Sequence, residues 1–200
     1  MIRLGILLSG RGSNFDAIAR HIEEGSLEAE IAVVISNRPE AGGLAIAKRR
    51  GLPDVCIPSR GLDRETYDRM LLEELAKWSV DLVCLAGYMR LLSATFIRAY
   101  PMRILNIHPS LLPAFPGLDA QHQALTHGVK YSGCTVHFVD EHLDSGPIIR
   151  QAVVPVFDED TTESLAARIL EQEHRIYSEA IAIVASGCYR IEGRRVLVSK

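Results

Sequence analysis

Three stretches of this sequence carry residue types that could do chemistry. The first is Asn106-Ile107-His108-Pro109-Ser110-Leu111-Leu112-Pro113. The apolar residues before it read as a strand over 103–107, and side chains alternate along a strand, so Asn106 and His108 fall on one face. Histidine titrates near neutrality and can carry a proton. Asparagine donates and accepts, so it can hold a carbonyl oxygen on which negative charge grows. A lone histidine at a strand end is usually a hydrogen-bonded structural residue. A neighbouring Asn, in a loop fixed by prolines at the sheet edge where ligands bind, shifts the reading toward function.

The second stretch is the acidic loop Asp140-Glu141-His142-Leu143-Asp144-Ser145-Gly146-Pro147. A carboxylate beside His108 would orient the ring and favour its charged form. Most acidic loops are solvated turns, and no spacing rule brings Asp144 to the ring.

The third is Ser9-Gly10-Arg11-Gly12-Ser13-Asn14, between a first strand and a first helix. Ligands of open α/β sheets bind at the carboxyl ends of strands. Free N–H groups and the dipole at a helix N-terminus favour an anion there. The dinucleotide fingerprint fails, because Phe15 occupies its third glycine position. The lysine-bearing phosphate loop is missing too. A single phosphate fits better than a dinucleotide or ATP, and a ligand-free glycine turn is the alternative.

Other features carry less. Gly87-Tyr88-Met89-Arg90-Leu91-Leu92 follows a strand and could line a pocket or simply pack a turn. His122/His127 and His137/His142 are each five apart, which does not set two metal ligands on one helical turn, and no HExxH occurs. Glu171, Glu173 and His174 lie on a long late helix, where a solvated face is the default. There is no Gly-x-Ser-x-Gly elbow, and Ser13 and Ser110 lack a partner set for a hydrolase triad.

Elements must position these residues. Strand patterns over 2–9, 30–36, 54–57, 81–86 and 103–107 alternate with helical patterns over 14–24, 42–50 and 64–78. Ser13 or Asn14 is read as the cap of the first helix, and Gly51 as the stop of the second. Continuous apolar strands spaced by helices imply a parallel sheet covered on both faces. After residue 107 the pattern changes to a shaped loop, a short helix over 121–126, strands over 135–139 and 148–156, and a long helix ending near 185. Asp160 and Glu163 resemble that helix's capping box. A hairpin over 189–191 and 196–198 surrounds Gly193. The fold expected is α/β: a mostly parallel, Rossmann-like open sheet with helices on both faces, and a C-terminal part that adds antiparallel strands and a long helix. We read 1–200 as a single domain, with 1–100 as a phosphate-binding half and 101–200 as a catalytic half.

The bulk numbers agree. With 200 residues, 48% of them hydrophobic, the chain can bury roughly 70% of its unfolded surface. The net charge of −3 and the lack of any Lys/Arg run argue against nucleic acid. Cys56, Cys84, Cys134 and Cys188 are scattered. That spacing disfavours zinc or a disulfide framework and reads as reduced, buried thiols. The apolar start is too short for a signal peptide, and no run approaches a membrane span. A cytoplasmic protein acting on small molecules is expected. A homodimer is left open.

Taken together, the loop at 9–14, the run at 106–113, and the segment from His137 through Asp144-Ser145-Gly146-Pro147 closely resemble the phosphoribosylglycinamide formyltransferase family. The resemblance spans nearly the whole chain. It implies 10-formyltetrahydrofolate as donor and glycinamide ribonucleotide as acceptor, with no metal. It implies Asn106, His108 and Asp144 as the catalytic set. By the same resemblance Gly12, Ser13 and Asn14 hold the acceptor's phosphate and Glu173 faces its ribose. Arg64, Met89, Arg90, Leu91, Leu92 and Asn106 border the folate, with Asp140 to Asp144 as a pterin-side loop. One departure is plain: Asp119 and Gln121 stand where the family usually has His, and the nearby His is His122. Three other readings compete. Hydrolysis of formyltetrahydrofolate is one, but those relatives generally carry an N-terminal regulatory domain, and here the first strand starts at Ile2. Transfer to methionyl-tRNA usually comes with a further C-terminal domain and a basic surface. A non-enzymatic phospholigand module would need only the first loop.

Overall fold

A computed structural model describes residues 1–199. The chain divides into two compact units, Met1–Asn106 and Ile107–Lys200.

The first unit is a parallel sheet. Its strands are β1 (Ile2–Leu8), β2 (Ala29–Ser36), β3 (Asp54–Cys56), β4 (Leu82–Leu85) and β5 (Ile104–His108), in the order β3-β2-β1-β4-β5. Leu4, Ile6, Leu7, Val33, Val34, Leu82 and Val83 are fully buried, as strands covered on both faces must be. Helix α1 (Ser13–Glu23) buries Phe15, Ala17, Ile18 and Ala19, and α2 is Gly42–Arg49. Helix α3 (Arg64–Lys77) buries Tyr67, Leu71 and Leu75, one per turn at the i, i+4 spacing of a single face. The strand order reverses between β1 and β4, so their carboxyl ends open a crevice of the kind where α/β sheets bind ligands.

The second unit is antiparallel where it is a sheet. Strands β6 (Tyr131–Phe138) and β7 (Ile148–Pro155) pair antiparallel, and β8 (Tyr189–Glu192) with β9 (Arg195–Val198) forms the C-terminal hairpin. Helix α5 (Ala120–Thr126) is short, and α6 (Thr162–Ser186) is long. Leu165, Ile169, Ile176, Tyr177, Ala180 and Ile181 form the buried face of α6. The architecture is the expected one, a mostly parallel open sheet with helices to which the C-terminal part adds antiparallel strands and a long helix.

Several local expectations need correction. Helix α1 is capped by neither Ser13 nor Asn14: both lie inside it, and Gly12 occupies the cap position with φ 82°. The box at α6 is Thr161 with Ser164, each side chain bonded to the other's backbone N–H. Asp160 is drawn away to Arg168 and the Phe157 amide. Strand β6 begins at Tyr131 rather than 135, because Ser132 and Gly133, which look like turn residues, pair with Val154 and Val153. Helix α4 (Ala94–Ala99) was not foreseen. Six residues are too few for periodicity, and its one sequence signal is Ser93, whose hydroxyl accepts from the Phe96 amide. All four cysteines are free thiols, but only Cys84 and Cys134 are buried, while Cys56 and Cys188 are exposed. Among the described residues, no helix is long and apolar enough to cross a membrane.

Candidate active site

The glycine loop lies at the carboxyl end of β1, beside the strand reversal. Gly12 turns the chain through the left-handed region into α1, and a methyl group there would sit 2.6 Å from the Cα of Gly43. Gly43 in turn donates its amide to the Gly10 carbonyl at 3.1 Å. At Gly12 the loop is therefore pressed against the start of α2 with no room for a side chain. Sequence reasoning singled out Gly12 but missed Gly42 and Gly43, although a glycine pair opening a helix was the available signal. No side chain caps α1, so its first N–H groups stay available to an anion. Ser13 is half-buried and Asn14 is buried.

Ser9 ties this loop to the turn after β4. Its amide donates to the Gly87 carbonyl, its hydroxyl donates to Asn37 Oδ1 at 2.6 Å, and that hydroxyl accepts from the Met89 amide at 2.9 Å. Residues 89–92 are thus held in place. Met89 and Leu91 are exposed, Leu92 is buried, and the Arg90 guanidinium lies 4.7 Å from the centre of the Tyr67 ring. Burial pushes the Tyr67 hydroxyl up to about 12. Burial also raises the Asp68 carboxyl, against the Ser93 amide that it accepts at 2.5 Å. Arg64, the first residue of α3, is exposed.

The expected catalytic set begins on β5. Asn106 and His108 are two apart on that strand, half-buried and buried respectively. His108 Nε2 lies 2.9 Å from the Phe115 carbonyl. A carbonyl only accepts, so Nε2 carries the proton. The other nitrogen, Nδ1, lies 3.5 Å from Asp144 Oδ2. Asp144 does reach the ring, which sequence spacing could not show. The carboxylate and the carbonyl each face one ring nitrogen and so fix the ring's orientation. The loop after His108 is held by Ser110, which donates to the Ala114 carbonyl at 2.6 Å, and by Thr135, which donates to the Ser110 carbonyl at 2.7 Å. Gln151 donates to Thr135 and to the Leu112 carbonyl. Thr135 and Gln151 carry no signal in the sequence, because long-range hydrogen bonds to the loop and the β6–β7 register that sets Thr135 opposite Gln151 bring them there.

Asp144 has a second histidine. His137 Nε2 is 3.8 Å from Asp144 Oδ1, and its Nδ1 donates to the Phe138 carbonyl at 2.8 Å. His137 is 1% exposed, and burial, the largest influence, lowers its pKa against the opposing pull of Asp144. The sequence puts His137 on the strand over 135–139 and weighs it only as a metal ligand; its approach to Asp144 is what spacing could not show. Asp144 also accepts the Gly117 amide at 2.8 Å. The loop that carries it closes on Gly146, where a methyl group would fall 1.8 Å from the Phe138 carbonyl oxygen. Asp140 accepts the His142 amide, which shapes the loop from within.

Glu173 corrects the solvated default for its helix: it is 7% exposed, and its charge helps burial push the Cys134 thiol up to about 12. Asp119 is exposed at the start of α5 with φ 55° and no capping bond, and Gln121 is half-buried. Among the described residues no group of three or more His, Cys, Asp or Glu side chains is placed to hold a metal ion.

Comparison with known proteins gives the family. Residues 2–181 match the family model described as formyl transferase. The chain is 43% identical to phosphoribosylglycinamide formyltransferase of Escherichia coli over 91% of its own length and 86% of that protein. It is 46% identical over 92% of its length to the trifunctional purine biosynthetic protein adenosine-3 of Drosophila melanogaster, yet spans only 14% of that protein. The crystal structure of glycinamide ribonucleotide transformylase 1 from Symbiobacterium toebii superposes with a TM-score of 0.98 at 54% identity, covering 100% of this chain and 95% of that one. This chain belongs to the formyl transferase family.

Proposed function

We propose that this chain transfers a formyl group from 10-formyltetrahydrofolate to the amine of glycinamide ribonucleotide, a step of purine biosynthesis. The observation that carries the reading is the Asp144–His108 contact at 3.5 Å, with Asn106 on the same strand. Relatives similar over most of both chains bear the name of that reaction.

In this mechanism the acceptor nitrogen attacks the formyl carbon, and the carbonyl oxygen becomes an oxyanion. Asn106 donates a hydrogen bond to that oxygen, and so does protonated His108 once its Nε2 turns from the Phe115 carbonyl to the substrate. The attacking nitrogen loses a proton and the folate N10 gains one through His108. The C–N10 bond then breaks, releasing tetrahydrofolate and the formylated amine. Asp144 keeps the His108 ring oriented and balances its charge. The uncapped α1 terminus with Gly12, Ser13 and Asn14 binds the acceptor's phosphate, and Glu173 meets its ribose. Arg64, Met89, Arg90, Leu91, Leu92, Asn106, Asp140 and Asp144 bind the folate donor. The 1–100 half then carries the phosphate site, and the 101–200 half carries Asn106, His108 and Asp144. The enzyme works in the cytoplasm on small molecules without a metal.

The test mixes the protein with 10-formyltetrahydrofolate, with and without glycinamide ribonucleotide. Tetrahydrofolate formed only with the acceptor supports transfer. Product without the acceptor means hydrolysis, and no product in either mixture means binding alone; either outcome overturns the reading. Cell fractionation and light scattering test the cytoplasmic placement and assembly as a homodimer.

A further inference from the structure

The loop between β6 and β7 carries Asp144 in a conformation that needs outside support. Asp144 has φ 47°, in the left-handed region that side chains other than glycine disfavour. The Gly117 amide supports it from one direction. The C-terminal hairpin supports it from another. Arg194, in the turn between β8 and β9, donates to the Ser145 carbonyl at 2.5 Å and to the Ser145 hydroxyl at 3.2 Å. One guanidinium thus grips both the backbone and the side chain of the residue next to Asp144. The hairpin is anchored at both ends of that loop. Tyr189 stacks on Phe138 at 5.8 Å where β6 ends, and Arg195 pairs with Ile148 where β7 begins. None of these hairpin residues falls within the stretch 2–181 that matches the family model.

We propose that Arg194 is a positioning residue that holds the 140–147 loop so that Asp144 faces His108. Its role in turnover rests on the formyl-transfer reading above; its grip on the loop does not. Two-point binding needs the fork of a guanidinium, which lysine lacks. Lysine can still supply one of the two bonds.

The experiment uses the full chain with Arg194→Ala, Arg194→Lys and, as a control on the same hairpin, Arg190→Ala, whose side chain bonds only Glu192 among the described residues. Amide hydrogen exchange over residues 140–147 and steady-state kinetics are measured together. In Arg194→Ala, loop exchange should quicken about 3- to 10-fold and kcat/KM for the donor should fall by a similar factor, the scale of one charged hydrogen-bond pair in partial solvent. Arg194→Lys should fall between wild type and Ala, and Arg190→Ala should match wild type. Unchanged exchange in Arg194→Ala overturns the proposal, as does faster exchange with unchanged kinetics. So does an equal effect from Arg190→Ala, which would assign the loop's order to the hairpin's general stability. A wild-type protein without transferase activity would sink the functional reading, while the exchange measurement would still judge the grip.

Discussion

His137 Nε2 faces Asp144 Oδ1 at 3.8 Å, while the other oxygen of the same carboxylate faces His108 at 3.5 Å. One negative charge therefore serves two imidazoles, and a charge on His108 disfavours one on His137. That coupling shapes the predictions for this site.

Asp144→Asn keeps an oxygen for the Gly117 amide but removes the charge. We expect kcat to fall by about 10²–10⁴, the range for losing an oxyanion donor or the orienting acid of a triad. A kcat equal to wild type would break the link between Asp144 and His108.

His137→Gln tests the buried ring through stability. Burial holds the folded pKa of His137 below its usual 6.5. Between those two values the unfolded chain binds more protons than the folded one, so stability rises with pH and is lost as pH falls below about 6.5. The Asp68 carboxyl, raised by burial, acts in the opposite sense from 3.8 upward, but it cancels in the difference between the two proteins. Thermal melts from pH 7 down to pH 5 should show wild type losing more stability than the variant. Parallel melting curves would mean that His137 does not titrate in this way.

Gly12→Ala adds a methyl group at φ 82°, 2.6 Å from the Gly43 backbone. The left-handed backbone alone costs about 1 kcal/mol, and the clash adds to it. We expect KM for the phosphorylated acceptor to rise about tenfold or more, with a smaller change in KM for the donor, because only the anion needs the α1 terminus. Titration of each substrate separately measures this, and equal rises for both would contradict it.

Thr161→Ala should destabilise the protein by about 1 kcal/mol, through loss of the bond to the Ser164 amide. Chemical denaturation reads the change directly. An unaltered midpoint would return the cap of α6 to Asp160 and Glu163.

The sheet was legible because its strands are buried on both faces. Runs such as Ile31 to Ile35 carry no polar interruption and could be nothing else within an α/β pattern. The pairing of Asn106 with His108 was legible too, since the two are two apart on one strand. What escaped were relationships closed by long-range pairing. Asp144 and His137 are separated from His108 by 36 and 29 positions (144 − 108 and 137 − 108), and only the β6–β7 register and a left-handed turn bring them in. Caps were misjudged for a related reason: Asp160 and Thr161 are both good cap residues, and a salt bridge to Arg168, eight positions later, took Asp160 away. Glu173 looked solvated because its burial depends on neighbours outside α6, among them Cys134.

The C-terminal hairpin carries a practical lesson about where such a chain can be cut. A boundary drawn at the end of the family match would fall at residue 181, five positions before α6 ends at Ser186. The trimmed protein would keep every residue assigned to substrate or catalysis. It would lose Tyr189, Arg194 and Arg195, and with them the stack, the grip and the strand pairing that steady the Asp144 loop. Such a protein would look complete on an alignment yet carry its acid on an unbraced arm.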